Sequence, residues 1–453
     1  MMQVALSFFM LAKRTPAALR EVAAHAGWCV SEATMNRMVK SVRLEHQNKL
    51  RLQGASWLTS GAWDNLDFHL DVGTMTQANR ATFESITTGL IFQLEHGVTR
   101  EDLQRPNVTP PSGDFPTRRM PNRHNTPAPT IKDAIPSRDI RERVHDGMLW
   151  VISSILARKC APALESEFGD IPSTLHIPIK KTTHHPVFAV HEKSSSNDGN
   201  IKVIRSLMEQ IGVDEDVVRH VVMIVHGDLG VLERVKSILE SRTIERTDFE
   251  SMEYLETVPG LFHVLMACAD AIWRTYLEPT DLRDEPQGVY QQFVKLNPTQ
   301  TPKLKTNAPF RMLHDGIDHI LSARILECAR VALGLASVTE LVASEFTRAD
   351  IGRLALDIYA RFVEGGATSQ DDEDDGFGND TAKDRAASNK RLFNRDALLY
   401  RVLALSIRFG AIGLVEDTLS VWIPIFKSTR KHKYTAHMLE FLTRLRALPP
   451  RLA

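Results

Sequence analysis

The sequence predicts a helix-rich mixed α/β chain whose sheet core is interrupted by large helical insertions. Three observations lead there. Helical periodicity dominates the second half, two stretches carry the composition of strands, and those stretches lie too far apart for a minimal sheet domain. A chain of 453 residues, 43% hydrophobic and 25% charged, can bury a large core in two to four domains.

Residues 1–50 read as helical, broken at Gly27. The apolar run at the start is about ten residues long, too short to span a bilayer. Lys13 and Arg14 follow that run instead of preceding it, so a buried first helix is expected and not a signal peptide. Residues 55–72, "ASWLTSGAWDNLDFHLDV", have the β-branched and aromatic content of one or two strands. Residues 105–139 carry prolines throughout and read as a long irregular connection. A helix follows, with Val144, Met148, Val151, Ile155 and Leu156 on one stripe.

Residues 174–190 suggest short extended pieces interrupted by Pro178 and Pro186, and residues 200–212 a helix ended by Gly212. "HVVMIVHGD", residues 220–228, has the apolar density of a strand buried on both faces, and "LGVLERVKSIL" then repeats at helical spacing. A strongly apolar helix is expected from Pro259, and two or three more across residues 310–362. Residues 364–390 form a low-complexity acidic stretch, read as a solvated insertion. Helices return to the end. The expected division is 1–50, 51–104, 105–139, 140–258, 259–363, 364–390 and 391–453.

Lys and Arg number 55 against 56 Asp and Glu, a net charge of −1, so nucleic-acid binding would need a local patch. Four widely spaced cysteines disfavour a zinc knuckle or a disulfide framework and suit a reducing, intracellular compartment, the nucleus included. With no P-loop, dinucleotide fingerprint or Gly-x-Ser-x-Gly elbow, no nucleotide cofactor is expected, and with no long apolar run, no membrane. Oligomeric state is not legible.

Three carboxylates stand out. Asp228 falls where a strand ends and a helix begins, which makes it either a metal ligand held between rigid elements or an ordinary N-cap. Asp64 lies inside a strand-like segment, where Asp is disfavoured, so it marks either a turn or an acidic position in mid-sheet. Glu416 lies beside the stripe Val415, Leu419 and Trp422 at a helix start, as a ligand or as a first-turn glutamate favoured by the helix dipole. Nucleases and transposases of the ribonuclease-H-like class use one acid in mid-sheet, one at a neighbouring strand tip and one on a later helix. Such carboxylates hold Mg²⁺, which stabilises the attacking and leaving oxygens of a phosphodiester.

Five stretches together resemble a fungal family called domain of unknown function 6589, found in mobile-element-derived genes: "WDNLDF", "TFESITTG", "VHGDLGVLERV", "VPGLFHVLMA" and "VEDTLSVWIPIFKSTRKHKYTAHMLEFL". They keep the family's order, and the resemblance spans roughly residues 17 to 448. The resemblance implies a transposase-like origin and carries over to Asp64-Asn65, Gly227-Asp228 and Glu416. Residues flanking the last two depart from the family pattern, which keeps an inactive copy in view.

Residues 17–42 resemble a helix-turn-helix. Ser31 would cap the second helix, and Arg37 and Lys40 would meet DNA phosphates or base edges. Lys427, Arg430, Lys431 and Lys433 form the densest basic cluster, read as a phosphate-tracking loop or a solvated turn. His184, His185 and His191 lack partners at zinc-ligand spacing, and His263 reads as a core histidine. The sequence therefore points to a transposase-derived, Mg²⁺-dependent nucleic-acid-processing protein. The competing expectation is a non-catalytic helical scaffold or DNA-binding remnant.

Overall fold

The computed structural model describes residues 2–70, 82–104, 129–219, 221–285, 288–305, 308–364 and 382–447. Most of the proline-rich connection and of the acidic stretch lies outside these residues. In chain order the elements begin with α1 (Met2–Ala12), α2 (Ala17–His25), α3 (Glu32–Ser56), β1 (Thr59–Leu70), β2 (Thr82–Gln93) and α4 (Arg138–Cys160). Next come β3 (His184–Pro186), α5 (Asn197–Ile211), α6 (Glu215–Val218), β4 (Met223–Gly227), α7 (Leu229–Ser241), α8 (Asp248–Ser251) and β5 (Leu255–Pro259). The remainder is helical: α9 (Leu261–Tyr276), α10 (Thr280–Arg283), α11 (Val289–Leu296), α12 (Phe310–Ala332), α13 (Val338–Ala343), α14 (Arg348–Tyr359), α15 (Ala382–Phe409), α16 (Ile412–Ser428) and α17 (His432–Ala447). Among the described residues no helix is long and apolar enough to cross a membrane.

The chain folds as two compact units, each built from two segments: residues 1–121 with 182–258, and 122–181 with 259–453. The first holds a five-stranded sheet ordered β3-β2-β1-β4-β5. β1 and β2 pair antiparallel along all twelve residues of each strand, from Thr59 opposite Gln93 to Leu70 opposite Thr82. β3 adds antiparallel to β2, with His185 opposite Ile91, and β4 adds parallel to β1. Parallel strands need a long crossover, and α5 lies on the connection from β3 to β4 and α7 on that from β4 to β5.

Period-2 alternation sends Trp63 of β1 and Val225 of β4 into one core with Val203, Ile204 and Leu207 of α5 and Val235, Ile238 and Leu239 of α7. Each such side chain contributes roughly 1.5–3 kcal/mol when fully buried. Leu50 of α3 joins that core, and the helix approaches closely enough that a Cβ on Gly54 would stand 2.0 Å from the Ile211 carbonyl oxygen. α5 ends as the sequence predicts, with Gly212 in the left-handed region at φ 70°.

The second unit is helical. Val144, Met148, Val151, Ile155 and Leu156 of α4 are all buried, together with Trp422 and Phe426 of α16 and Tyr400 of α15. Gly147 of α4 meets Leu414 and Val402 so closely that a Cβ would stand 3.1 and 3.2 Å from them. Gly316 of α12 lies flat against the ring of the buried Phe293.

The helix-rich mixed α/β class is observed, with five corrections of detail. α1 is not buried: Ser7 alone is, and Met2, Phe9 and Leu11 face solvent, because little of the fold packs over so short a helix. β4 has only five residues and buries alternate ones, so it is covered fully on one face, not both. β2 and β5 were absent from the sequence expectation, since their mixture of Thr, Ser and Glu with scattered apolar residues gives no clean alternation. Pro259 closes β5, and α9 starts after Gly260 instead. The first fifty residues break not only at the expected turn around Gly27 but also between α1 and α2, at residues 13–16.

Candidate functional site

Asp64 lies midway along β1, the central strand of the sheet. Ser60, Gly61 and Ala62 pair in parallel with Ile224, Val225 and His226. The pairing ends at Ala62 and His226; continued two residues further, the same register would bring Asp64 level with Asp228, where β4 has given way to α7. Neighbouring strands lie about 4.8 Å apart. Alternation puts Asp64 on the face opposite Trp63, with Thr88 across from it on β2. Asp64 is exposed and Asp228 is half-buried. Carboxylates are hard oxygen donors of the kind Mg²⁺ prefers.

Asp228 also has an ordinary task. It is the N-cap of α7, with backbone φ −71° and ψ 177°, and its Oδ1 accepts the Val231 amide at 2.8 Å. That contact satisfies one of the helix's orphan donors and is worth about 1 kcal/mol. Gly227 precedes it for a reason the sequence did not reveal. Its φ is not positive, but a Cβ there would stand 2.7 Å from Val231, so only glycine lets β4 run this close to the first turn of α7. His226 faces the same side as Asp228 and packs edge-on against Phe92, ring centroids 6.3 Å apart. Burial pushes its pKa below the usual histidine range.

Asn65, beside Asp64, is the residue the sequence could not explain. Its Oδ1 accepts the Ser194 amide and hydroxyl, both at 2.8 Å, and the Thr87 hydroxyl at 3.3 Å. These partners are distant in sequence, so only the unexpected Asn within a strand signalled them.

Glu416 belongs to the second unit. It is the fifth residue of α16, beyond the first turn where a helix dipole acts, so the dipole does not account for it. The Leu414 amide donates to Ser173 Oγ at 3.0 Å and to the Ala411 carbonyl at 3.1 Å, and the Gly413 amide donates to the Leu175 carbonyl at 3.2 Å. Val415, Leu419 and Trp422 are buried, as the stripe predicts. Glu416 itself is half-buried, and burial, with the neighbouring Asp417, pushes its pKa above the usual carboxylate range against the pull of Arg446. Asp417 is buried and held by the Arg143 guanidinium of α4 through two 2.7 Å bonds. Among the described residues, no group of three or more His, Cys, Asp or Glu side chains is positioned to hold a metal.

The basic candidates divide. Lys427, Arg430 and Lys433 are exposed around the turn from α16 to α17. Lys431 is instead ion-paired with Asp270 of α9, its side chain only 11% exposed, and its ammonium lies over the Tyr434 ring. In the first unit, Ser31 caps α3 by accepting the Thr34 amide at 3.3 Å, and Arg37 and Lys40 are exposed on that helix. Glu32 is engaged by Arg20 of α2 through bonds of 2.9 and 3.2 Å, which pins the two helices together.

A model of the family of unknown function DUF6589 matches residues 123–453, a span that contains Asp228 and Glu416 and begins after Asp64. Comparison with curated proteins returned no match. Among solved structures, the Drosophila P element transposase strand transfer complex aligns with 99% of this chain and 92% of that chain, at 10% identity and a TM-score of 0.31.

Proposed function

Starting from a chain that belongs to the family of unknown function DUF6589, we propose a transposase-derived, nucleic-acid-processing protein with a ribonuclease-H-like sheet. In this reading Asp64, Asp228 and Glu416 are acidic ligands for Mg²⁺ in phosphodiester cleavage or strand transfer. The observation that carries it is the parallel pairing of β1 with β4, whose register, continued two residues past Ala62 and His226, would bring Asp64 beside Asp228 at the start of α7. The sheet order β3-β2-β1-β4-β5, with β1 to β3 antiparallel and helices on the later crossovers, supports it at the level of fold analogy. When bound, Mg²⁺ would stabilise charge on the attacking and leaving phosphate oxygens. The two aspartates would hold the cation from rigid elements of the first unit, while Glu416, in the second unit, enters the proposal on the family resemblance alone. Arg37 and Lys40 on α3, with Lys427, Arg430 and Lys433, would meet the DNA backbone.

A second reading is favoured by the cap contact of Asp228, which explains that residue without a metal. The chain would then be a non-catalytic scaffold or DNA-binding remnant. The deciding experiment is nicking of supercoiled plasmid in Mg²⁺ or Mn²⁺ by the wild type, Asp64→Asn, Asp228→Asn and Glu416→Gln. Cleavage by the wild type and loss in all three variants is expected. Cleavage retained by Glu416→Gln removes Glu416 from the site. An inert wild type, with equal heats of Mg²⁺ titration for it and Asp228→Ala, leaves the scaffold reading.

A further inference from the structure

Asp64 is flanked by two residues that point to the opposite face of β1, and both belong to one hydrogen-bonded chain. Trp63 donates its indole N–H to Asn200 Oδ1 at 3.0 Å. Asn200 donates its side-chain amide to the carbonyls of Ser194 and, at 2.9 Å, Ser196. Ser194 in turn donates twice to Asn65 Oδ1, and Thr87 lies within reach of both that oxygen and the Glu192 carbonyl, the latter at 2.7 Å. Trp63, Thr87, Ser194 and Asn200 are all buried, Asn200 completely. The chain thus stitches β1, β2, the 190–196 segment and the start of α5 together on either side of Asp64.

Buried polar groups are costly unless each finds its partner, and a satisfied network holds its members in one geometry. Trp63 and Asn65 could serve the core as apolar residues with no such network. A carboxylate that binds a cation, by contrast, must be held to within about 0.5 Å. Asn65 also contacts Asp64 directly: its backbone N–H donates to Asp64 Oδ1 at 2.8 Å. We infer that Asn65 is a positioning residue for Asp64, its side-chain oxygen gripped by Ser194 and Thr87 so that its backbone amide presents the neighbouring carboxylate in one orientation. The inference rests on the reading of Asp64 as a cation ligand.

The test is Mn²⁺ titration of the full chain, followed by electron paramagnetic resonance, with thermal melts of each variant alongside. Asp64→Asn should abolish binding. Asn65→Ala should weaken it roughly 10–100-fold, the usual cost of losing a group that orients a ligand. Ser194→Ala, which removes one hydroxyl donor and keeps the backbone donor, should weaken it less and decides the matter if Asn65→Ala does not fold. Leu207→Ala, a core cavity in α5 outside the network, should lower the melting temperature and leave Mn²⁺ affinity unchanged. Wild-type affinity in Asn65→Ala or, failing that, in Ser194→Ala overturns the inference and leaves Asp64 as a ligand. So does weakening that merely follows lost stability, with Leu207→Ala weakened in step. Equal binding, or none, in the wild type and Asp64→Asn removes the cation site and the inference with it.

Discussion

Asp228→Asn and Asp228→Ala together separate the helix cap from the metal ligand. Asn caps a helix about as well as Asp, whereas Ala loses the bond to the Val231 amide, at a cost of about 1 kcal/mol. For a folding unit of roughly 150–250 residues, that corresponds to a melting temperature lower by about 2–4 °C. Charge works the other way without metal. Like charges on neighbouring elements repel, and Asn removes the charge at position 228. In chelator the expected order is therefore Asp228→Asn at or above the wild type, with Asp228→Ala about 2–4 °C below Asp228→Asn. Mg²⁺ at a hundred times its dissociation constant adds about 2.7 kcal/mol to a protein that binds it only when folded. The wild type should then rise by roughly 5–10 °C and neither variant should respond. Differential scanning fluorimetry reads all six conditions. Equal Mg²⁺ shifts in the wild type and Asp228→Asn would refute the ligand argument, and equal melting of the two variants in chelator would refute the cap argument.

Three further outcomes follow from geometry already described. Gly316→Ala places a methyl 2.1 Å from the ring of Phe293, which is buried and has nowhere to swing, so a loss of about 1–3 kcal/mol is expected by urea denaturation; an unchanged midpoint contradicts the packing. Glu416 has a folded-state pKa raised by burial, so ionising it opposes folding: stability relative to Glu416→Gln is highest below the unfolded value near about 4.3 and is lost as pH rises through the folded value. Melts from pH 4 to 8 should show Glu416→Gln overtaking the wild type, and a gap independent of pH counts against this. Arg37→Ala and Lys40→Ala should each reduce the salt dependence of DNA affinity by a slope of about 1, with little change in melting because both side chains are exposed; unchanged slopes take α3 out of the interface.

How much of this was legible beforehand depended on how local each signal was. Helices such as α4 and α16 announced themselves, because their apolar stripes repeat within a few residues and the same residues are buried. Ser31 and Gly212 marked helix ends for the same reason. β2 and β5 did not, because their own residues do not alternate cleanly. Asp64 and Asp228 could be picked out singly, yet the parallel pairing of β1 with β4 that bears on both is a property of register, which no local pattern records. Lys431 shows the opposite failure: a dense basic run marks charge but not which member has an acid from another helix waiting for it. Asn65 looked out of place in a strand, and the chain of donors that explains it spans residues 63 to 200.

The parallel pairing of β1 with β4 has a consequence for synthesis on the ribosome. Ala62 leaves the exit tunnel long before His226, and at bacterial-to-eukaryotic elongation rates the wait is on the order of ten to thirty seconds. Throughout that interval the β1–β2 hairpin has an edge of unsatisfied backbone groups and an apolar face lacking α5 and α7. Fragments that stop before β4 should therefore be recovered as aggregates.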